Sequence, residues 1–118
     1  MVVSVDGQPW MDYDHGVFDG CTKDVTVNHA VLAMGYGYDS LSKKNYWLLR
    51  NSWGDSWGER GFIRIERHSE DTGDAGHCGW DYDPKEGNGC DGGPKVVPVC
   101  GMCGILSYSV YPDDVTQV

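Results

Sequence analysis

The sequence predicts one β-rich domain, in which consecutive antiparallel strands form a sheet that curls toward a barrel. Three apolar runs, at 29–35, 46–50 and 61–67, are joined by short connections that are rich in Gly, Ser and Asp. Strands that follow one another closely in sequence usually pair as neighbours. The chain has 118 residues, which is enough for one hydrophobic core and too few for two. We therefore expect a single domain over residues 1–118.

The N-terminal part of the chain is expected to contain one strand and one long loop. Residues 1–5 are apolar and mostly β-branched, which predicts a strand. Because no turn or cap precedes it, we expect the natural polypeptide to continue upstream. Residues 6–24 are rich in Gly, Asp and aromatic residues, which predicts a loop with at most one turn of helix. Trp10, Tyr13 and Phe18 are expected to anchor this loop to the core.

A hairpin and two further strands are predicted in the rest of the sheet. The run at 29–35 is too short, and too closely flanked by Gly, for a helix, so we expect a buried strand. A connection at 38–45 leads to the returning strand at 46–50. At 61–67 isoleucines alternate with charged residues, which is typical of a strand with one buried face. The last strand is expected at 105–111, before a C-terminal tail.

Residues 68–99 break this pattern, because Gly, Asp, Pro, Cys and Asn dominate there and apolar periodicity is lost. A structureless loop of that length is uncommon inside a compact domain. We therefore expect an insertion, at about 68–102, that is either stapled by cysteines or partly disordered. It could also be an exosite or a contact for a partner. Its carboxylates do not have the spacing of a calcium loop and are expected to be solvated: Glu70, Asp71, Asp74, Asp81, Asp83 and Glu86.

The charge balance restricts the partners of the chain. It has 18 acidic and 9 basic residues and a formal net charge of −9, which argues against nucleic acid and anionic membranes. No run approaches the roughly 18 apolar residues that span a bilayer. The N-terminus lacks the basic and apolar regions of a signal peptide. A soluble protein or peptide partner is therefore expected.

Candidate catalytic side chains are predicted at one end of the sheet. His29 begins one strand and Asn51 follows the next, so antiparallel pairing would bring both to the same end. The amide of Asn51 could then hold one ring nitrogen of His29 and leave the other free for acid or base chemistry. Trp53, within the glycine-rich stretch 50–61, could cover that hydrogen bond. The alternatives are a hairpin connection with aromatic packing and a buried histidine that has only a structural role.

Several spaced motifs resemble the C-terminal half of a papain-family cysteine peptidase. They are Asn28-His29-Ala30-Val31, Gly35-Tyr36-Gly37, Asn51-Ser52-Trp53-Gly54, Trp57-Gly58-Glu59, Gly61-Phe62, Cys103-Gly104-Ile105 and Tyr111-Pro112. The resemblance runs over 1–67 and resumes at 103–112, and the insertion between these blocks departs from the better-known members. It implies an α+β papain-like fold. This chain would be mainly the antiparallel, β-barrel-like right domain, with few short helices and a long Cys-bearing loop.

The resemblance also implies roles for individual residues. His29 corresponds to the catalytic histidine and Asn51 to the residue that orients it. Trp53 would shield their contact, and Trp57 would line the cleft on the leaving-group side.

A substrate pocket is implied in the same way. Ser4, Ala30 and Tyr108 fall where the family binds the second substrate residue before the scissile bond. A floor at Tyr108 would shorten that pocket, so a moderate apolar or aromatic side chain is expected there. Asn28 stands where many members carry Asp, which we expect to shift the pH profile rather than to abolish activity.

The nucleophile of the family has no counterpart in this chain. In that family a cysteine thiolate lies at the start of a helix in the other half of the molecule, beside a glutamine of the oxyanion hole. None of the five cysteines fits that position. We therefore expect this chain to supply half of an active site and to be inactive by itself.

Five cysteines in turn-rich sequence favour disulfides formed in an oxidising compartment. The resemblance pairs Cys21 with Cys103. The other three, Cys78, Cys90 and Cys100, permit one further bridge in three ways and leave one thiol over. A zinc site formed by Cys100, Cys103, Cys78, Cys90 and His77 is less favoured because the spacing is poor for a zinc ribbon. A redox-active pair at Cys100 and Cys103 is also less favoured because the motif opens no helix.

The sequence thus predicts part of a cysteine endopeptidase that hydrolyses peptide bonds through a thiolate and imidazolium pair. We expect an endolysosomal or extracellular protein. Its expected partners are the upstream half with the catalytic cysteine, a peptide or protein substrate, and a propeptide or protein inhibitor. No cofactor, metal, nucleic acid or membrane is expected. Two alternatives are a catalytically inactive papain-like module that binds peptides or proteins, and a cysteine-stapled β domain without a cleft.

Overall fold

The computed structural model describes residues 1–68 and 77–110. The described strands are β1 (Val2–Val5), β2 (Val17–Phe18), β3 (His29–Asp39), β4 (Lys44–Arg50), β5 (Phe62–Glu66), β6 (Cys78–Asp81), β7 (Val97–Cys100) and β8 (Ser109–Val110). Three short 3₁₀-helices lie at Gln8–Trp10, Pro84–Glu86 and Met102–Gly104. The expected solvated carboxylates Glu70, Asp71 and Asp74, the Tyr111-Pro112 motif and the tail lie outside the described residues.

Six strands form the main sheet in the order β2-β5-β4-β3-β1-β8. The predicted antiparallel meander of β3, β4 and β5 is confirmed. The expectation of a purely antiparallel sheet is wrong at one edge, where the two-residue strand β2 runs parallel to β5. That strand lies in the long loop, whose Tyr13 and Phe18 pack against the core and hold it alongside β5. Within the described ranges β2 and β8 are opposite edges, and no pairing closes the sheet into a barrel.

The hydrophobic core covers one face of this sheet. It contains Val3, Val5, Val31, Leu49, Ile63 and Ile65. The alternation predicted at 61–67 is confirmed, because Ile63 and Ile65 are both 0% exposed and their neighbours in β5 are half-buried. Trp10 is also 0% exposed, and its Nε1–H donates to Cys103 Sγ over 3.4 Å. The prediction that Trp10, Tyr13 and Phe18 anchor the long loop is therefore confirmed.

The prediction of a buried strand at 29–35 is wrong. Val31 is the one buried residue of β3, and every second residue of the strand is exposed. Tyr36 and Tyr38 remain 74% and 60% exposed. The apolar run looked like a strand buried on both faces, but within the described residues the core covers only one of them.

The described part of the insertion forms a hairpin with a covalent staple. Strands β6 and β7 pair antiparallel, with Cys78 opposite Cys100, and these two cysteines form a disulfide. Cys90 is free and exposed. The predicted Cys21–Cys103 disulfide is confirmed. Among the described residues no helix has the length and apolar character needed to cross a lipid bilayer.

The expectation that Asp81 is solvated is wrong. Its side chain is 1% exposed. Its Oδ2 accepts a hydrogen bond from the Val27 N–H over 3.2 Å, and its Oδ1 accepts one from the Asp83 N–H over 2.8 Å. Because a buried carboxylate is costly unless it is hydrogen-bonded, these contacts fasten the insertion to the segment that leads into β3.

Candidate active site

The open end of the β3–β4 hairpin, opposite its turn, places His29 beside Asn51. His29 is the first residue of β3, and Asn51 directly follows β4, its antiparallel neighbour. The His29 Nε2 and Asn51 Oδ1 atoms are 2.7 Å apart. A stapled β domain in which these side chains are separate is therefore excluded.

Asn51 is fixed by its backbone as well as by its side chain. It is 6% exposed, and its N–H donates to the Gly61 carbonyl over 3.0 Å. The Ser52 N–H donates to the same Asn51 Oδ1 atom over 2.8 Å, which identifies that atom as oxygen. An amide oxygen can only accept, so His29 Nε2 must carry a proton. In a neutral ring, Nδ1 is then left as the acceptor.

Indole rings enclose this pair. The ring of Trp53 is nearly parallel to the His29 imidazole, with 5.2 Å between centroids and an interplanar angle of 29°. Trp10 meets the imidazole edge to face at 6.1 Å. Trp53 is 37% exposed and Trp10 is fully buried. Trp53 is therefore the outer cover and Trp10 the inner wall, and together they restrict rotation of the imidazole.

Trp57 lies behind Trp53. The two rings meet at 5.1 Å and 80°, and Trp57 Nε1–H donates to the Trp10 carbonyl over 3.1 Å. Trp53 lines the depression beside His29, whereas Trp57 is absent from its described lining. In the described structure Trp57 thus supports Trp53, and its contact with the leaving-group side of a substrate stays a prediction.

Glycines permit the tight path of the stretch that carries these indoles. Gly58 has a φ of 60°, in the left-handed region that favours glycine. A Cβ atom there would lie 2.6 Å from the Phe62 carbonyl oxygen and 3.1 Å from the Tyr13 ring. A side chain at this position would therefore displace the turn between the two strands.

Glu59 forms an ion pair at the far end of the glycine-rich stretch. Its carboxylate binds the Arg64 guanidinium through two hydrogen bonds of 2.8 and 3.0 Å, and it accepts one from the Gly16 N–H. The hydrogen bond with Arg64 is the largest cause that lowers the pKa of Glu59. Burial raises the pKa of the neighbouring Tyr13 to about 12. This cluster fixes the far end of the glycine-rich stretch to the sheet.

Sequence reasoning missed the close approach of Gly7 to the imidazole. A Cβ at Gly7 would lie 2.9 Å from His29 Cδ2, so only glycine leaves room for the ring. The Gly7 N–H donates to Asn28 Oδ1 over 3.2 Å. Asp6 accepts hydrogen bonds from the N–H groups of Gln8 and Thr26 and so holds this loop in place. Glycine in a loop has many uses, so the sequence carried no specific signal for this one.

The residues of the predicted substrate pocket are only partly brought together. Ser4 is the register partner of Ala30, and the Ser4 N–H donates to the Tyr108 carbonyl over 3.1 Å. Ser4 and Ala30 line a depression of about 220 Å³ next to His29. Tyr108 is half-buried against the core and is absent from the described lining of this depression. The insertion contributes to the lining instead, through Glu86, Gly87 and Asn88.

The four paired cysteines have no free thiol. Cys21–Cys103 and Cys78–Cys100 are disulfides, and Cys90 is absent from the described linings of the depressions beside His29. The arrangement at His29 thus offers an oriented acid or base, and no free cysteine of the described residues lines the depressions beside it.

This chain is similar to known cysteine proteases. The family model described as papain family cysteine protease matches residues 1–88. Chymopapain from Carica papaya is 42% identical over 79 residues, which are 67% of this chain and 21% of chymopapain. A cysteine proteinase from Theileria parva is 49% identical over 65 residues, which are 54% of this chain and 14% of that protein.

Solved structures show the same likeness. The Carica candamarcensis cysteine protease CMS1MS2, in complex with E-64, superposes with a TM-score of 0.54 at 30% identity. The match covers 90% of this chain and 35% of that one. Bromelain from Ananas comosus, also in complex with the E64 inhibitor, has a TM-score of 0.50 at 48% identity, over 56% of this chain and 30% of that one. This chain therefore spans about a third or less of the proteins it resembles.

Proposed function

Because this chain belongs to the papain family of cysteine proteases, we propose that it supplies the histidine and asparagine of a peptidase active site. The hydrogen bond of 2.7 Å between His29 and Asn51 carries this proposal. It leaves Nδ1 of His29 as the atom that exchanges a proton with the nucleophile and then with the leaving amine.

The nucleophile is a cysteine outside this chain. As a thiolate it attacks the carbonyl carbon of the scissile peptide bond, while the His29 imidazolium holds its charge. The imidazolium then gives the proton at Nδ1 to the departing amine, and water hydrolyses the acyl enzyme that remains. Asn51 suits this cycle because a neutral amide orients the ring without cancelling its positive charge.

The upstream half that carries this cysteine is proposed to pack on the exposed end of the sheet. A depression of about 450 Å³ lies there, lined in part by Val2, Leu32, Arg50 and Asn51. Val2 and Leu32 are 39% and 43% exposed. Apolar side chains that reach the surface in this way are suited to burial against a partner. The complete sheet would then form the barrel-like right domain of the peptidase.

The same proposal assigns substrates, inhibitors and a compartment to the complete protein. The complete protein cleaves peptide bonds within peptides or proteins, and a propeptide or protein inhibitor can occupy the same cleft. Two disulfides in the described structure suit an endolysosomal or extracellular compartment.

Thiol-directed labelling tests this proposal. The chain is combined with its upstream half, and the complex is treated with a thiol-directed epoxide inhibitor. Labelling of the upstream cysteine is expected, and His29→Ala should abolish it. His15→Ala is the matched control, because the His15 side chain is 81% exposed and, in the part of the chain that the structure describes, pairs only with the neighbouring Asp14. Labelling that survives His29→Ala would contradict the proposal.

A further inference from the structure

The insertion places one carboxylate beside the candidate active site. Glu86 ends the 3₁₀-helix Pro84–Glu86 in the connection between β6 and β7. It lines both the depression that holds Ser4 and Ala30 and the one that holds Trp53, and His29 also lines both of them. A residue more than fifty positions away in sequence thus borders the groove in which a substrate would lie.

Close backbone packing fixes the loop that carries Glu86. A Cβ at Gly87 would lie 1.9 Å from the Val27 carbonyl oxygen, so the loop after Glu86 lies directly against the chain two residues before His29. At the base of the hairpin, a Cβ at Gly79 would lie 2.2 Å from the Lys23 carbonyl oxygen. Neither Gly87 nor Gly79 has room for a side chain, because the neighbouring atoms belong to the backbone of Val27 and Lys23 and cannot shift without moving the chain.

Hydrogen bonds add to this attachment. Buried Asp81 accepts from the Val27 N–H, and Asp24 Oδ1 accepts from the Trp80 N–H over 2.9 Å. The Gly87 and Gly89 N–H groups both donate to the Pro84 carbonyl, over 3.2 and 2.7 Å, and this closes the loop around Glu86. The Cys78–Cys100 disulfide holds the two strands of the hairpin together. The described part of the insertion therefore forms a fixed wall of the groove.

The carboxylate of Glu86 is available to a ligand. The residue is exposed, and no ion pair joins it to another described residue. The adjacent Lys85 instead pairs with Asp91 over 3.4 Å. The same depression is also lined by Ser4, Val27, Asn28, His29, Ala30, Gly87 and Asn88, so its surface is partly polar and partly apolar. The anionic carboxylate of Glu86 matches the head group of a Lys or Arg side chain, and the exposed Ala30 offers apolar surface to its stem.

We propose that Glu86 is a specificity-determining residue that selects a basic side chain at the second substrate residue before the scissile bond. This inference rests on the proposed peptidase function and on the assignment of Ser4 and Ala30 to that pocket. It replaces the apolar or aromatic preference expected from Tyr108, which is absent from the described lining.

The test compares two blocked fluorogenic peptides that differ only by Arg or Leu at that position. The ratio of their kcat/KM values is measured on the natural full-length polypeptide. Glu86→Gln should lower the arginine-to-leucine ratio by about twofold to fivefold, the range of a solvent-exposed ion pair. Glu86→Lys should lower it further. An unchanged ratio in Glu86→Gln would overturn the inference.

The matched control is Asp83→Asn, which removes an exposed charge from the same loop but not from the described lining of either depression. It should leave the ratio unchanged, and an equal fall in both variants would show a general charge effect and overturn the inference. Gly87→Ala should lower the ratio as Glu86→Gln does, because it displaces the loop that carries the carboxylate.

Binding separates this inference from the proposed peptidase function. Calorimetry on the full-length His29→Ala variant measures the affinity of each blocked peptide without turnover. The arginine peptide should bind about twofold to fivefold more tightly, and this difference should disappear when Glu86→Gln is added. Equal affinities would overturn the inference even if the enzyme is active. Failure of both peptides to be cleaved, with the binding difference present, would remove the proposed activity and support the role of Glu86.

Discussion

Removing the Cys78–Cys100 disulfide should lower the free energy of unfolding by about 3 kcal/mol. The two cysteines are 22 positions apart. In the chain-entropy description a disulfide stabilises the folded state by restricting the unfolded chain, and the effect grows with the logarithm of the loop length. The Cys21–Cys103 disulfide, with a separation of 82, should be worth about 4.5 kcal/mol by the same relation.

Urea unfolding of three variants measures these contributions. One replaces both Cys78 and Cys100 with serine. Another replaces both Cys21 and Cys103 with serine. The third is the single variant Cys90→Ser. Tryptophan fluorescence follows the transition, because Trp10 is fully buried in the core. The exposed, unpaired Cys90 is the matched control, and its replacement should change the free energy by less than about 0.5 kcal/mol.

Two results would refute this reasoning. The first is that Cys90→Ser lowers the free energy of unfolding as much as the double variant at Cys78 and Cys100 does. That result would mean that Cys90 is in a disulfide. The second comes from alkylation without a reducing agent. Trypsin cleaves after Lys85 and Lys95, which leaves Cys90 alone in the peptide 86–95. That peptide should carry the only label, and labelling of any other cysteine would contradict the pairing.

Three further predictions concern activity, packing and pH. The isolated chain should hydrolyse no fluorogenic peptide at any pH, because its proposed nucleophile lies outside it; release of fluorophore would contradict this. Leu49→Ala, at 0% exposure, should lower the free energy of unfolding in urea by about 3 kcal/mol, whereas Leu41→Ala, at 93% exposure, should change it by less than about 0.5 kcal/mol. The hydrogen bond from Arg64 lowers the pKa of Glu59 in the folded state, so it stabilises the chain above the unfolded pKa near 4.5, and this stabilisation is lost as the pH falls through the folded value. Arg64→Met should therefore make the acid-side decline in the free energy of unfolding shallower, and an unchanged slope in urea titrations would contradict this.

The β3–β4–β5 meander and the meeting of His29 with Asn51 could be predicted because they depend on local features. Short connections make successive strands neighbours. Antiparallel pairing then brings the start of one strand next to the end of the following strand. His29 starts β3 and Asn51 follows the end of β4, so the two residues lie close together. The exposed face of β3 could not be predicted in this way. An apolar run is equally compatible with one covered face or with two, and only the packing around it decides between them.

The sequence by itself determined the strand alternation at Ile63 and Ile65, the Cys21–Cys103 pairing through its resemblance to a family, and the candidate pair at His29. The tertiary structure alone decided that Cys78 pairs with Cys100 and that Glu86 lies beside His29. The physical reason is the range of the contacts. Hydrophobic periodicity reports on neighbours within one element, whereas the insertion is positioned by backbone packing and a buried carboxylate across more than fifty residues of chain.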